Sequence, residues 1–245
     1  MTSSLDGRRV LVSGGTSGLG LAAALALARA GASVWIMGRT PKSVAAALQE
    51  PGFAGGSACD VAEEAAVGDA VDEALATLGG LDGAFVNAGI DGENRDVLEL
   101  SVAHFRRVLD VNVLGTFLVA RAAARAMHAG STIVINASVN GLRAEANFAD
   151  YNASKAAAIS LAQTMALDLA DRGIAVLAIC PGYVRTRMTA AYLDDPQLAE
   201  QLLRDIPARR FGTPEEVAEV VAFLLSGKAG YMTGGLITMD GGRSV

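Results

Sequence analysis

Cysteine and histidine are scarce in this chain of 245 residues, which contains two of each. Cys59 and Cys180 stand alone within apolar stretches, without a CxxC pair or a Cys/His cluster. A disulfide framework or a zinc site needs several such residues at short, regular spacings. The composition therefore excludes a disulfide-stapled domain and leaves no set of metal ligands. We expect two buried free thiols, as in a reducing compartment.

Long hydrophobic runs and basic clusters are also missing. The longest apolar run, Gly18–Ala28, stops at Arg29 and is shorter than the roughly 18 residues that a membrane span requires. The N-terminal segment has no apolar region of the kind found in secretion signals. With 26 acidic against 20 basic residues the net charge is −6, and no Lys/Arg block offers a footprint for nucleic acid. We expect a cytoplasmic protein without a membrane or nucleic-acid partner.

Strand-like runs alternate with helical ones along the chain, and 51% of the residues are hydrophobic. The strand-like runs are apolar on both faces, which is typical of a parallel sheet covered by helices on both sides. We predict an α/β fold, a single doubly wound Rossmann-type domain over residues 1–245 with about seven parallel strands. The predicted strands are Arg9–Ser13, Ser33–Met37, Gly55–Cys59, Leu81–Val86, Ser131–Asn136, Ile174–Ile179 and Leu236–Met239. The predicted helices are Gly18–Ala30, Ala62–Leu78, Val113–Met127, Tyr151–Asp171 and Pro214–Leu225.

A glycine-rich turn follows the first predicted strand and opens the first predicted helix. Glycines at this place let the chain turn sharply and let backbone N–H groups approach a pyrophosphate, whose charge the helix dipole favours. The context predicts a dinucleotide site rather than a merely structural turn. The turn residues assigned to this site are Gly14, Thr16, Ser17, Gly18, Leu19 and Gly20.

The spacing Gly14-xxx-Gly18-x-Gly20 resembles the glycine motif of the short-chain dehydrogenase/reductase family, and later motifs occur in that family's order. Those motifs are Asp60, Asn87-Ala88-Gly89, Asn112, Ser138, Tyr151-Asn-Ala-Ser-Lys155 and Pro181-Gly182. The resemblance covers essentially the whole chain, although Val86 stands where many members carry asparagine. It implies an NAD(P)-dependent oxidoreductase that interconverts a carbonyl and an alcohol, similar to 3-oxoacyl-carrier-protein reductase-like and polyol dehydrogenase-like members.

The resemblance also implies cofactor contacts outside the glycine turn. Asp60 and Val61 would hold the adenine edge, and Asn87 would help to fix the ribose region. The segment after the sixth predicted strand would contact the nicotinamide amide. The other residues that the resemblance assigns to the cofactor are Ala88, Gly89, Tyr151, Lys155, Pro181, Gly182, Val184 and Thr186.

The end of the second strand distinguishes the two nicotinamide cofactors. An acidic residue there binds the ribose hydroxyls of NAD, whereas an arginine accommodates the 2′-phosphate of NADP. Gly38 takes the place of the discriminating aspartate, and Arg39 follows it. Arginine can pair bidentately with phosphate oxygens. We therefore predict a preference for NADP, with NAD use left open because Ser17 supplies no second basic residue.

Reduction of a carbonyl requires a proton donor, and oxidation of an alcohol requires a proton acceptor. Tyr151 and Lys155 lie four residues apart and therefore on the same face of a helix. A tyrosine has an ordinary pKa of about 10, so we expect the Lys155 ammonium to lower the pKa of Tyr151. This pair is the predicted acid/base machinery, and by the resemblance Lys155 also binds the nicotinamide ribose.

Two further residues complete the predicted catalytic set. Ser138 follows a buried strand and sits at its carboxyl end, where open α/β sheets place their ligand crevice. Its hydroxyl can donate to the substrate oxygen as charge develops. Asn112 resembles the family's active-site asparagine, which kinks its helix and holds a water connecting Lys155 to solvent. The catalytic residues are thus predicted to be Asn112, Ser138, Tyr151 and Lys155.

The substrate is a small carbonyl or alcohol that the sequence does not name. Specificity is expected from 91–96, 140–150 and 186–205, the last of these acting as a lid. Polar residues near the crevice favour a polyol, whereas Arg125 and Arg172 resemble the docking arginines of carrier-protein reductases. An NAD-dependent polyol or sugar dehydrogenase remains an alternative, as does a nucleotide-binding sensor or scaffold without turnover. The polar residues concerned are Asn140, Arg143, Glu145, Asn147 and Tyr183.

Two predicted helices, Val113–Met127 and Tyr151–Asp171, are rich in alanine and apolar all round. One face of a sheet cannot cover such helices completely. Subunit contact would explain the pattern, and the family resemblance implies a tetramer. We expect a homo-oligomer.

Overall fold

The computed structural model describes residues 5–245 and shows strands and helices in alternation. The strands are β1 (Arg9–Ser13), β2 (Ser33–Gly38), β3 (Phe53–Ala58), β4 (Leu81–Val86), β5 (Met127–Asn136), β6 (Ala175–Pro181) and β7 (Leu236–Met239). The α-helices are α1 (Gly18–Arg29), α2 (Pro41–Ala47), α3 (Glu64–Leu78), α4 (Val102–Leu109), α5 (Gly115–Ala126), α6 (Ala149–Leu169), α7 (Ala190–Leu193), α8 (Pro196–Arg204) and α9 (Pro214–Leu225).

The seven strands form one parallel sheet in the order β3-β2-β1-β4-β5-β6-β7. The strand order reverses between β1 and β4, and such a switch point opens a crevice outside the carboxyl ends of the strands. The predicted α/β, Rossmann-type fold with parallel strands and helices on both faces is therefore confirmed.

Two hydrophobic clusters lie on opposite faces of the sheet. Along β1, Val10 and Val12 join the cluster covered by α1 and α9, whereas Leu11 joins the cluster covered by α3, α5 and α6. Successive side chains of a strand point to opposite faces, so a strand buried on both sides must be apolar at every position. This requirement explains the uninterrupted apolar runs of the sequence.

Most helices and strands begin and end within a few residues of their predicted bounds, but the short helices were not predicted. Strands β1, β4 and β7 and helix α9 have the predicted bounds, whereas β5 begins at Met127 rather than Ser131. Helices α2, α4, α7 and α8 were not predicted, because each is short and largely exposed. Both cysteines are buried and free, as expected. Within residues 5–245, no helix combines the length and the apolar character that crossing a membrane demands.

A cluster around the buried carboxylate of Asp82 joins the amino ends of three neighbouring strands, at the edge opposite the crevice. Asp82 of β4 accepts hydrogen bonds from the Arg9 guanidinium at 2.7 and 3.0 Å and contacts His128 Nε2 at 2.8 Å. Burial raises the pKa of Asp82, but the hydrogen bonds from Arg9 and His128 outweigh burial and lower that pKa to about 2. The carboxylate therefore stays ionised and holds β1, β4 and β5 in register.

Asp82→Asn is expected to lower the free energy of unfolding by about 2 kcal/mol at neutral pH. The folded-state pKa of Asp82 lies below that of the unfolded chain, so this stabilisation is complete above about pH 4. It is lost as the pH falls towards 2. Urea unfolding at pH 7 and pH 3 measures the difference, with Asp72→Asn on the exposed side of α3 as the control. An equal loss of stability in both variants would contradict the assigned role of the cluster.

Candidate active site

The predicted motifs converge on one cleft at the carboxyl ends of the strands. The glycine turn follows β1, Asn87 follows β4, Ser138 follows β5 and Gly182 follows β6. Together they line a cavity of about 1050 Å³. The residues of the predicted cofactor set that line it are Gly14, Thr16, Ser17, Gly18, Leu19, Arg39, Asp60, Val61, Asn87, Ala88, Gly89, Tyr151, Lys155, Pro181, Gly182, Val184 and Thr186. Gly20 lies behind this surface.

Close contacts hold the glycine turn in place and leave no room for a side chain at Gly14 or Gly20. Gly14 and Gly18 have φ values of +65° and +53°, a region that favours glycine. A Cβ on Gly20 would overlap the carbonyl oxygen of Gly14 and come within 2.5 Å of Asn87 Nδ2. Ser13 Oγ accepts hydrogen bonds from the backbone N–H groups of Asn87 and Ala88 at 3.0 and 3.2 Å. The turn is therefore a fixed cradle that fits a dinucleotide pyrophosphate.

The end of β2 forms another wall of the cleft. A Cβ on Gly38 would overlap Thr16 Cγ2 and lie 3.1 Å from Val44 Cγ2, so an aspartate side chain has no space there. Arg39 is exposed and lines the cleft. Thr40 and Ser43 beside it form a reciprocal capping box at the start of α2. The adenosine end of the cleft thus presents a cation and hydroxyl groups where an acidic residue would select NAD.

Tyr151, Lys155 and Ser138 meet at the other end of the cleft. Tyr151 and Lys155 are one turn apart on α6, and Lys155 Nζ lies 5.5 Å from the centroid of the Tyr151 ring. The Lys155 ammonium donates to the Asn136 carbonyl oxygen at 2.8 Å. Ser138 caps a 3₁₀ turn, is buried, and accepts a hydrogen bond from the Asn140 N–H at 3.1 Å. Phenol, hydroxyl and ammonium groups therefore line the same part of the cleft.

The pKa of Tyr151 differs from the expectation based on sequence. Burial raises this pKa above the ordinary value, the charge of Asp91 raises it further, and the hydrogen bond with Ser138 offsets only part of the rise. Burial also lowers the pKa of Lys155 to about 8. The expected lowering of the Tyr151 pKa by Lys155 is therefore wrong for the protein alone, because the energetic cost of burying a phenolate dominates.

Asn112 lies on a π-helical turn, Asp110–Leu114, between α4 and α5. Its Oδ1 accepts from Ile90 N–H at 2.8 Å, and its Nδ2 donates to the Ile90 carbonyl at 2.9 Å and to Ser154 Oγ at 3.1 Å. These bonds tie the loop after β4 to α6. The side chain does not line the cleft, so its geometry suits positioning of Tyr151 and Lys155 rather than contact with a ligand.

A second cavity, of about 200 Å³, adjoins the cleft. The loops after β4, β5 and β6, helices α7 and α8 and the C-terminal segment line it. Of the residues that the sequence analysis proposed for specificity, Asn140, Glu145 and Tyr183 line this cavity, whereas Arg143 and Asn147 do not. The two cavities share Asp91, Ser138, Tyr151, Gly182, Met188 and Thr189. Of the catalytic candidates, Ser138 and Tyr151 therefore lie at the junction of the two cavities, and Lys155 lines the larger one.

Arg243, which was not predicted from the sequence, also lines the smaller cavity. Its guanidinium lies 4.9 Å from the Tyr183 ring centroid and 3.5 Å from the Glu145 carboxylate. An arginine two residues before the last one belongs to no local sequence pattern that indicates a pocket. Arg172, a docking candidate of the sequence analysis, instead donates to the carbonyl oxygens of Ala124 and Met127 at the end of α5.

Comparison with known proteins agrees with this geometry. Residues 14–244 match the family model described as enoyl-(acyl carrier protein) reductase. The chain is 38% identical to 2-(S)-hydroxypropyl-CoM dehydrogenase 3 of Xanthobacter autotrophicus, over 100% of this chain and 99% of that protein. It is 36% identical to cyclohexanol dehydrogenase of an Acinetobacter species, over 98% of this chain and 96% of that protein.

A solved structure of a short-chain dehydrogenase from Burkholderia cenocepacia in complex with NADP superposes with a TM-score of 0.90. That protein is 34% identical, and the match covers 98% of this chain and 99% of the other. The sheet order, the motif positions and these similarities agree along the whole chain. The chain belongs to the short-chain dehydrogenase/reductase family, whose members are NAD(P)-dependent oxidoreductases that act on alcohol and carbonyl groups.

Proposed function

We propose that the protein interconverts a ketone or aldehyde and the corresponding alcohol, prefers NADP(H), and uses Tyr151 as its general acid/base. The observation that carries this proposal is the position of Tyr151, Ser138 and Lys155 where the cofactor cleft meets the smaller cavity. When bound, the nicotinamide supplies the hydride or accepts it. A substrate in the smaller cavity places its oxygen beside the Tyr151 phenol and the Ser138 hydroxyl.

The protein groups divide the remaining work between them. Ser138 donates a hydrogen bond to the substrate oxygen and holds it beside the Tyr151 phenol. Tyr151 gives its proton to the oxygen during reduction and takes one during oxidation. The Lys155 ammonium stabilises the phenolate that reduction leaves behind. Because burial raises the pKa of Tyr151, the phenol carries its proton at neutral pH, which suits reduction. Oxidation then gains rate as the pH rises.

Arg39, and the lack of space for an acidic side chain at Gly38, support the preference for NADP. Arg39→Ala is expected to raise the Kd for NADPH about tenfold, which corresponds to about 1.4 kcal/mol, and to change the Kd for NADH less than about twofold. The reason is that NADPH alone carries the 2′-phosphate. Fluorescence titration of both cofactors measures the two constants, with the exposed Arg29→Ala at the end of α1 as the control. Equal weakening of both cofactors, or none, would remove Arg39 as the phosphate ligand.

We propose that the segment 186–205, with α7 and α8, closes over bound substrate. Its contacts with the rest of the protein support this role. Tyr192 of α7 donates to Asp91 at 2.9 Å and stands edge-on to Phe148. Both contacts join this segment to the loops that follow β4 and β5. Closure excludes water from the reacting atoms.

We also propose a homo-oligomer, with the tetramer of the family as the expected form. Large apolar side chains are exposed on the single chain at Leu167 and at two pairs of consecutive residues, Val97 with Leu98 and Tyr231 with Met232. Contiguous exposed apolar surface marks contacts between proteins. Sedimentation equilibrium should therefore report a mass that is a multiple of the 25.0 kDa chain. A single-chain mass at micromolar concentration would contradict this assembly.

A further inference from the structure

The smaller cavity contains three charged side chains, Asp91, Glu145 and Arg243. Glu145 has partners for its charge and for both oxygens. One oxygen accepts from the Tyr183 hydroxyl, and the other accepts from Asn140 Nδ2 at 3.2 Å and lies 3.5 Å from Arg243 Nη2. The charges of Glu145 and Arg243 therefore offset each other, and the pair serves as a wall of the cavity.

Asp91 differs from Glu145 in forming no ion pair with any residue that the structure describes. Its Oδ1 accepts from the Gly92 N–H and its Oδ2 accepts from the Tyr192 hydroxyl, each at 2.9 Å. Both donors are neutral. Among residues 5–245, no lysine, arginine or histidine forms an ion pair with Asp91, although its side chain is half-buried. The negative charge of the cavity is therefore concentrated on Asp91.

The position of Asp91 brings this charge close to the reaction. It is one of the residues that line both cavities, together with Ser138 and Tyr151. The charge of Asp91 raises the pKa values of both Tyr151 and Lys155, which shows that its field reaches the catalytic groups. A substrate whose reacting carbon lies beside Tyr151 thus places its neighbouring atoms beside the Asp91 carboxylate.

We infer that Asp91 determines substrate specificity by binding a second hydrogen-bond donor, a hydroxyl or an ammonium group, next to the reacting carbon, and by repelling substrates that carry an anion there. This inference rests on the proposed function and names its substrate class. Carboxylate oxygens have about four acceptor sites, of which two are occupied here. A substrate donor fills a further site and compensates a partly desolvated charge.

An anionic substituent at the same place would face a carboxylate without an intervening cation. Like charges held together in a low-dielectric site cost several kcal/mol, and water is excluded when the lid closes. Asp91 loses hydrogen-bonded water when the lid closes, and a substituent without polar atoms cannot replace those hydrogen bonds. The cavity therefore discriminates by charge and by donor capacity more strongly than by size.

The test uses four alcohols with one six-membered ring: cyclohexanol, and its derivatives with a hydroxyl, an ammonium or a carboxylate group on the neighbouring carbon. Their oxidation is measured for the wild type, for Asp91→Asn and for Asp96→Asn. Asparagine at position 91 keeps an oxygen acceptor and removes the charge. Asp96 belongs to the same loop but lines neither cavity, so its variant controls for the loss of one carboxylate.

The wild type is expected to favour the diol and the amino alcohol over the hydroxy acid by about 100-fold in kcat/KM. In Asp91→Asn this ratio should fall to about tenfold or less, with a gain for the hydroxy acid, whereas Asp96→Asn should keep the wild-type ratio. A larger loss for the amino alcohol than for the diol identifies ammonium as the preferred donor, and a larger loss for the diol identifies hydroxyl. An unchanged ratio in Asp91→Asn overturns the inference.

Measurements of alcohol binding test this inference independently of the proposed function. The same four alcohols are titrated calorimetrically into each protein with NADPH present, a cofactor form that cannot oxidise an alcohol, and into each protein alone. If the wild type oxidises none of the four, the proposed function fails for this substrate class. A preference for the donor-bearing alcohols that disappears in Asp91→Asn would still support the role of Asp91. Absence of any such preference overturns that role, whether or not turnover is seen.

Discussion

Tyr151→Phe is expected to lower kcat for carbonyl reduction about 1000-fold, while the Kd for NADPH changes less than about threefold. The substitution removes the hydroxyl that exchanges the proton and keeps the ring that stands beside Lys155 Nζ. Steady-state kinetics and a fluorescence titration of the same preparation separate the two effects. Retained binding with lost turnover also distinguishes an enzyme from a nucleotide-binding sensor, since a sensor needs no phenol at this position.

The chain offers a matched control in Tyr231→Phe, because that side chain is fully exposed and lines neither cavity. It should leave kcat unchanged. In the wild type, alcohol oxidation should rise from neutral towards alkaline pH, because burial raises the pKa of Tyr151 and its phenol must lose a proton. In Tyr151→Phe this rise should vanish. Activity within about tenfold of the wild type would make a neighbouring phenol, Tyr183 or Tyr192, the proton donor.

Gly20→Ala is expected to abolish measurable cofactor binding and to lower the free energy of unfolding by about 3 kcal/mol. A Cβ at this position would overlap the Gly14 carbonyl oxygen and crowd Asn87 Nδ2, two groups that hold the turn against β4. The backbone of the turn must move to relieve this overlap, and the N–H groups that face the cleft move with it. Calorimetric titration with NADPH and urea unfolding measure the two losses.

Gly68→Ala provides the matched control for this substitution. Gly68 lies within α3, and a Cβ there would meet no atom within 4 Å. Alanine in a helix interior is favoured over glycine by about 0.5 to 1 kcal/mol, so this variant should be more stable and should bind NADPH normally. If Gly20→Ala behaves like Gly68→Ala, the glycine turn is not the rigid cradle described above.

Much of the fold could be predicted because its signals are local. Strands such as β1 and β4 contain short apolar runs, and the turn after β1 carries its glycines at a recognisable spacing. Helices α7 and α8 could not be predicted in the same way. They are short, lie in a segment rich in charged residues, and depend on contacts such as that between Tyr192 and Asp91, which lie 101 residues apart. A prediction based on neighbouring residues in the sequence cannot detect a contact between residues so far apart.

The candidate site likewise has features that could be predicted from local sequence and features that could not. The sequence by itself determined the α/β fold, the order of the motifs, and the placement of Tyr151 and Lys155 on one helix face, since these follow from period, spacing and resemblance. Only the tertiary structure decided that Asn112 bonds Ile90 and Ser154, that Arg243 offsets Glu145, and that Asp91 forms no ion pair within residues 5–245. It also decided the direction of the Tyr151 pKa, because desolvation and charge act through space and depend on how distant segments are packed together.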